Sequence, residues 1–323
     1  MPFHFASPES LVAKARELGR LPIAVAAAGS AFALEGARRA YEQGIADPVL
    51  VGDPATIERI AREIRWPIEG IRIVAADDDE DAAQRAVALA RSGECGAMMK
   101  GHLHTDVLML AALDKKAGLR TGRRFSHAFH MTVPNWQRSL FLSDCAVNIS
   151  PNVDTKLDIV RNLVDLIHAL GNDAPKIALL SATEEVTERI QSSMDAAEVT
   201  RRCAEGAVTG ATVFGPLAFD VAMSEEAARI KGIDNPVAGH ADALVVADID
   251  SGNALFKMMV HFMGATAAGV VLGALVPIVL TSRSDPPQAR LTSTAIARLL
   301  AAEHQPLRPR ATPIHTQTEG HHA

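Results

Sequence analysis

Near the C-terminus five consecutive residues, Thr281-Ser282-Arg283-Ser284-Asp285, bring hydroxyls, a guanidinium and a carboxylate together. They close a short apolar run, Val276 to Thr281, that reads as a buried strand. Open α/β sheets hold ligands at the carboxyl ends of such strands. A guanidinium fork matches phosphate oxygens, and a nearby carboxylate can take a proton. The same residues fit a bland account: Ser282 caps a following helix, Arg283 is solvated, and Asp285 sits in the turn before Pro286-Pro287.

Two other polar stretches carry chemistry of the same kind. Lys100-Gly101-His102-Leu103-His104-Thr105-Asp106 follows an apolar strand and enters a helix. Free backbone N–H groups and the helix dipole there suit an anion, and Lys100 adds a point charge. His102 and His104 have no third ligand at useful spacing, so a capped helix start is preferred to a metal site. Between Gly118 and His127, the segment GLRTGRRFSH carries Arg120, Arg123 and Arg124. It is either a flexible cationic loop that binds a ligand or a solvated basic turn.

Regular elements must hold these stretches. Ala254 to Met263 has apolar residues at helical spacing, with Asn253 as the expected N-cap and Lys257 on the helix. Ala267–Leu272 and Val276–Thr281, flanked by Gly or Pro, read as strands buried on both faces of a parallel sheet. In the N-terminal half, strands at Leu21–Ala28, Pro48–Val51, Ile71–Ala75 and Ala97–Met99 alternate with helices. One helix runs from Gly29-Ser30 to near Gly44. The next starts with Asp53 as N-cap and Pro54 at the first helical position. The acidic run Asp77 to Asp81 opens a third, reaching about Arg91, where its charge suits the positive end of the dipole. This rhythm predicts α/β architecture with a mainly parallel sheet.

His127–Val133 and Ser139–Leu142 read as a strand pair around Pro134-Asn135. Asp154 to Leu170 is a long amphipathic helix stopped by Gly171-Asn172, and it opens a second domain. Lys176–Leu180 and Ala243–Ala247 follow as strands, Asp195–Ala204 and Glu225–Lys231 as helices, and Gly215 to Asp220 as an apolar turn. The expected division is a first domain of residues 1–152 plus 283–303, a second of 153–282 inserted in it, and a polar, Pro-rich disordered tail at 304–323.

With 323 residues the chain is long enough for two cores. A hydrophobic share of 48% with 22% charged residues is that of a soluble globular protein, and a net charge of -6 argues against a nucleic-acid surface. Cys95, Cys145 and Cys203 lie far apart and form neither a metal spacing nor an even disulfide set, which suits reduced thiols in the cytoplasm. No secretory leader pattern opens the chain and no uncharged run reaches membrane-spanning length. The absence of G-x-G-x-x-G after the first strand, and of any Walker pattern, counts against a standard dinucleotide fold and a P-loop NTPase.

Asn253 with Lys257, then Gly269, Gly273, Pro277 and Thr281-Ser282-Arg283-Ser284-Asp285, resemble the phosphate acetyl/butyryltransferase family, its butyryl branch above all. Met99-Lys100-Gly101 with His104-Thr105, Gly118-Leu119-Arg120-Thr121-Gly122, and Asp144-Cys145-Ala146-Val147-Asn148 with Pro151 share the resemblance, as does the segment holding Asp220. Asn148 and Pro151 are read mainly as turn residues at a domain crossing. The resemblance implies an isocitrate dehydrogenase-like fold of two α/β domains, each with a mainly parallel sheet, a cleft between them, and a homodimer. It implies reversible transfer of an acetyl or butyryl group between coenzyme A and inorganic phosphate. The partners would be acyl-CoA, phosphate and acyl phosphate, with no metal, redox cofactor, nucleic acid or membrane.

By the same resemblance, Arg283 would bind the phosphoryl group, Ser282 would donate to the oxyanion or orient the thiol, and Asp285 would be the base. Lys100, His104, Thr105, Arg120, Arg123, Arg124, Asn253 and Lys257 would bind substrate. The sequence departs from the acetyl branch twice. That branch places an Asp where Ala289 falls here, and an Arg in the helix where residues 106–113 have none. Arg120, Arg123 or Arg124 would substitute for the second. Two alternatives stand beside this reading: a metal- and NAD-dependent dehydrogenase of related fold, and a non-catalytic acyl-CoA-binding relative.

Overall fold

Short apolar strands alternate with amphipathic helices through both halves of the chain, and all the strands join one sheet. The computed structural model describes residues 7–136, 138–280 and 286–303. Its strands are β1 (Leu21–Ala26), β2 (Ala46–Gly52), β3 (Ile73–Ala75), β4 (Ala97–Lys100), β5 (Ser126–Thr132), β6 (Leu140–Ser143), β7 (Lys176–Leu180), β8 (Thr212–Leu217), β9 (Ala243–Val245), β10 (Thr266–Leu272) and β11 (Ile278–Val279). They lie in the order β3-β2-β1-β4-β11-β10-β5-β6-β9-β7-β8. Pairing is parallel except between β10 and β11, β10 and β5, and β5 and β6. The expected α/β class with a mainly parallel sheet is thus what forms, and its strands run on as one eleven-stranded sheet.

The helices are α1 (Pro8–Glu17), α2 (Ala31–Glu42), α3 (Pro54–Glu63), α4 (Asp79–Arg91), α5 (Thr105–Leu113), α6 (Val153–Ala169), α7 (Gln191–Ala204), α8 (Phe219–Met223), α9 (Glu225–Ile230), α10 (Ile249–Met263) and α11 (Pro287–Glu303). Several starts are those the sequence specifies. The side chains of Ser30, Asp53, Asp78 and Asn152 each accept the N–H three residues on, and Pro54 follows Asp53.

Three expectations need correction. β10 is antiparallel to both neighbours, because only residues 273–277 separate it from β11. A parallel return needs a crossover of about a dozen residues, so so short a link makes a hairpin. Asn253 is not an N-cap: Asp248 takes that place, accepting from the Ser251 N–H at 2.9 Å, and α10 begins a turn earlier. Gly215 to Asp220 is not a free turn. It completes β8 and enters α8, with Gly215 and Pro216 tolerated because β8 lies at the sheet edge. A Cβ at Gly215 would lie 2.6 Å from the Leu179 carbonyl oxygen on β7.

Side chains alternate across a strand, so each strand feeds two cores. Ala268, Val270 and Leu272 of β10 point to the side covered by α1, α2, α3, α6, α7 and α11, where one apolar core spans the sheet. The other side is divided. Val271, Ile278 and Leu280 pack with Met98 and helices α4 and α5. Ala267 packs with Phe129, Met131 and helices α8, α9 and α10. Gly269, between Ala267 and Val271 in the alternation, marks where the two clusters separate.

The β10–β11 turn fixes the start of β5. Gly273 has φ +80°, and a Cβ there would run into the Arg124 carbonyl oxygen and come within 2.9 Å of Asn162 Nδ2. Asn162 Nδ2 itself donates to that carbonyl at 3.0 Å. Gly273→Ala is therefore expected to cost about 2–4 kcal/mol, from left-handed backbone strain plus the clash. Urea unfolding measures it; a cost under about 0.5 kcal/mol, the size of an ordinary surface change, would show that the turn relaxes freely.

Candidate active site

β1, β4 and β11 run parallel and end at one edge of the sheet. Lys100, the last residue of β4, is buried. Gly101 and His102 then donate their N–H groups to the carbonyls of Ala26 and Ala27, each at 2.8 Å. A Cβ at Gly101 would collide with both of those carbonyls, so only glycine lets the chain leave β4 against the end of β1. Helix α5 starts three residues later. His104 holds its N-cap position without a side-chain hydrogen bond, and both His104 and Thr105 are exposed. First-turn N–H groups with no side-chain cap suit an anion. Leu280, the last described residue after β11, arrives beside Lys100. Ser282, Arg283 and Asp285 lie outside the described residues.

Helix α10 borders the divided side from the opposite half. Phe256 stacks on Phe129 of β5 with ring centroids 4.1 Å apart. At 100° per residue, Asn253 and Lys257 share the flank of α10 that lies past Phe256. Met258 and Phe262 fall on the other flank. Gly252 is what allows α10 to start so close to the sheet: a Cβ there would lie 2.8 Å from the Asp144 carbonyl oxygen and 3.1 Å from Cys145 Sγ.

The arginine loop is elsewhere. Ser126 of β5 pairs with Leu272, so β5 begins at the edge away from Lys100. The registers put Lys100 level with Phe129, three residues along β5 from Ser126, so at about 3.3 Å per residue the start of β5 lies about 10 Å along the strands from the Lys100 end. Arg120 bridges to Ala274, and Thr121 Oγ1 donates to the Gly273 carbonyl at 2.7 Å. Arg123 forms an ion pair with Asp165 of α6, and the Arg124 N–H donates to Asp158 Oδ2 at 3.1 Å. A cleft of about 430 Å³ lies there, lined by Thr121, Arg123, Asn162, Asp165, Gly273 and Pro277 among others. The structure therefore sets Lys100, His104 and Thr105 at the end of β4 and Arg120, Arg123 and Arg124 toward the opposite ends of the strands, while Asn253 and Lys257 stand on α10, which packs in the other apolar cluster.

Two groups at the divide carry no role in the sequence reading. Asp144 is buried, and its carboxylate accepts the N–H groups of Ala146, Val147 and Asn148 and the Asn148 side-chain amide at 2.6 Å. The Asn148 amide also donates to the Phe125 carbonyl at 2.8 Å, so the turn role expected of Asn148 is real. His127 is buried on β5. Burial pushes its imidazole down to about 4; the Asp144 charge and a hydrogen bond to the Leu280 backbone oppose that shift only in part. A signal for His127 was present in the sequence: a lone glycine within an apolar strand marks a close approach, and at Gly269 the approaching group is the His127 ring.

Fold and site together define an α/β protein of dehydrogenase-like architecture, with polar groups gathered at the end of β4 and the start of α5. Residues 79–298 match the family model described as phosphate acetyl/butaryl transferase. The chain is 46% identical to a phosphate acetyltransferase of Rhizobium meliloti over 297 residues, 92% of this chain and 94% of that one. It is 38% identical to a phosphate butyryltransferase of Clostridium acetobutylicum over 288 residues, 89% and 95% of the two. A branched-chain phosphotransacylase from Enterococcus faecalis superimposes with a TM-score of 0.76 at 34% identity, over 87% of this chain and 99% of that one. This chain belongs to the phosphate acetyl/butyryltransferase family.

The Arg123–Asp165 pair is exposed on both sides, at 41% and 38%. Arg123→Ala is expected to change stability by less than about 1 kcal/mol, the range of solvated ion pairs. A loss above about 2 kcal/mol in urea unfolding would show that the loop depends on this one contact.

Proposed function

We propose that this chain moves an acetyl or short-chain acyl group, such as butyryl, reversibly between coenzyme A and inorganic phosphate. The observation that supports it most is the match to named acyltransferases along nine-tenths of the chain and of the relative. The comparisons do not favour the dehydrogenase alternative. In the acyl-phosphate direction, the coenzyme A thiolate attacks the acyl carbon, a tetrahedral oxyanion forms, and phosphate leaves with the electrons of the carbon–oxygen bond. No oxidation state changes, so the reading needs neither metal nor redox cofactor.

Each step asks something of the chain. A free thiol has a pKa near 8.5 and is mostly protonated at neutral pH, so a base is needed, and Asp285 is assigned that role. Ser282 is assigned to the oxyanion, Arg283 to the phosphoryl group through its fork. Lys100 and the start of α5, with His104 and Thr105, add positive potential at the same edge. Asn253 and Lys257 on α10 are placed on the coenzyme A side, so that both substrates meet across the divide and attack is effectively intramolecular. Arg120, Arg123 and Arg124, at the far edge, are assigned to the distal phosphates of coenzyme A rather than to the reacting one.

The test is coenzyme A release from acetyl-, propionyl- and butyryl-CoA with and without phosphate. Phosphate-dependent release from at least one supports the reading, and none from any of them rejects it. Asp285→Asn should lower turnover by about two to four orders of magnitude with coenzyme A affinity nearly intact. Near wild-type turnover would remove Asp285 as the base. Arg283→Ala should weaken phosphate handling far more than coenzyme A binding, and Arg283→Lys should rescue little, because a point charge lacks the fork.

A cytoplasmic homodimer belongs to the same proposal. Among the described residues no helix is long and apolar enough to cross a membrane. On the flank of α10 turned away from Lys257, Met258 is 47% and Phe262 88% exposed, an apolar pair suited to a second copy. Light scattering at micromolar concentration should give a dimer, and Phe262→Glu should shift it to monomer. A wild-type monomer would contradict this arrangement.

A further inference from the structure

The cleft at the start of β5 stands apart from the divide. It opens on the side of the sheet that α6 and α11 cover, with a volume of about 430 Å³. Leu272, Leu275, Pro277 and Leu300 give it apolar walls, and half of Leu275 is exposed. Asn162 and Asp165 of α6, with Arg123 of the loop before β5, supply the polar groups. An apolar cavity with a few convergent polar groups is the usual form of a small-molecule site.

The walls are fixed before any ligand arrives. The Leu275 N–H donates to the Leu119 carbonyl at 2.8 Å, Thr121 Oγ1 donates to the Gly273 carbonyl, and Arg120 bridges to Ala274. The Arg91 guanidinium donates to the Gly118 carbonyl at 2.8 Å and holds the far end of the same loop. A preformed cleft spares a ligand much of the ordering cost of binding.

Asn162 shows what the cleft asks for. The residue is 3% exposed, and its Nδ2 donates to the Arg124 carbonyl at 3.0 Å and to Ser126 Oγ at 2.9 Å. A carbonyl can only accept, so the amide nitrogen is the atom turned toward Arg124. These two bonds use both of its protons. Oδ1 has no hydrogen-bond partner among the described residues, so the group Asn162 offers to the cleft it lines is an acceptor. At the mouth Arg123 is paired with Asp165, and both are partly exposed. A solvated pair of this kind is weak, so an anion that matches the guanidinium fork can displace the carboxylate. Arg120 and Arg124 are exposed on the same loop.

We propose that this cleft binds an adenosine phosphate. The flat base lies between the apolar walls, its exocyclic amine donates to Asn162 Oδ1, and its phosphate takes Arg123 from Asp165. Two sources carry this chemistry: a free adenine nucleotide, and the adenosine end of coenzyme A. The second source rests on the function proposed above; binding at the site does not, because it requires no turnover.

The test is calorimetric titration of the full-length protein with AMP. It should bind with a Kd of about 1 mM or tighter. Purine riboside monophosphate, which lacks the amine, should bind about tenfold more weakly, the factor for one hydrogen bond to a buried acceptor. Arg123→Ala should weaken AMP binding about tenfold or more. Asp165→Asn, which frees the guanidinium, should strengthen it about threefold or more. Opposite effects at the two ends of one exposed ion pair are not what a loss of folding produces. Hydrogen exchange with AMP bound should show protection at residues 118–126.

Saturating coenzyme A separates the two sources. Displacement of AMP identifies the coenzyme's own adenosine end as the occupant, and undiminished AMP binding identifies a free nucleotide. No binding of AMP overturns the proposal. So does equal affinity for the analogue without the amine, an unchanged affinity in both variants, or protection confined to 101–108. A wild-type protein that binds AMP as described but releases no coenzyme A with phosphate counts against the proposed function and leaves the nucleotide site standing.

Discussion

Everything in this molecule depends on how the two sides of one sheet are covered. Strand residues alternate sides, so β10 must serve two cores at once. On one side Ala268, Val270 and Leu272 join a core that spans the sheet and holds both halves of the chain together. On the other side Val271 belongs to one cluster and Ala267 to another, and between them stands Gly269. A continuous apolar layer there would have packed α5 against α10 and left no place for substrates. A glycine with a histidine ring laid over it keeps the two clusters separate while the opposite core keeps the sheet whole.

That division arranges the polar groups. Helix α5 can begin next to Lys100 because Gly101 lets the chain turn against the end of β1. Helix α10 can start close to the Asp144 turn because Gly252 has no side chain to collide with it. Glycine serves the same purpose at Gly273, where the β10–β11 turn meets the carbonyl of Arg124. In each case a backbone is brought within reach of another backbone, and the functional side chain is the neighbour, not the glycine.

Much of this was legible in the sequence. The strands at 21–26, 46–52 and 176–180 follow apolar runs bounded by turn residues, and the helices after the first two carry caps that the side chains of Ser30 and Asp53 make. Local rules worked there because local and tertiary preferences agree. They failed where tertiary contact decides. Asp248 outcompetes Asn253 as a cap, because the chain after β9 already turns at Asp248. β10 reads as a parallel strand from its composition, and only the short link to β11 shows that it is not. The arginines at 120–124 read as candidates to replace the Arg missing from 106–113, since sequence spacing says nothing about which edge of a sheet a loop reaches. His127 read as a strand residue, and the one trace of its setting was Gly269, far along the chain, over which its ring lies.

The central claim is that substrates meet across the divide between α5 and α10. Hydrogen exchange of the wild-type protein with saturating coenzyme A and phosphate tests it most directly. The account predicts new protection at residues 101–108 and 253–260, on both sides of the divide, with any change at 118–126 appearing only when coenzyme A is present. Protection confined to 118–126, with none at the start of α5 or along α10, would contradict it.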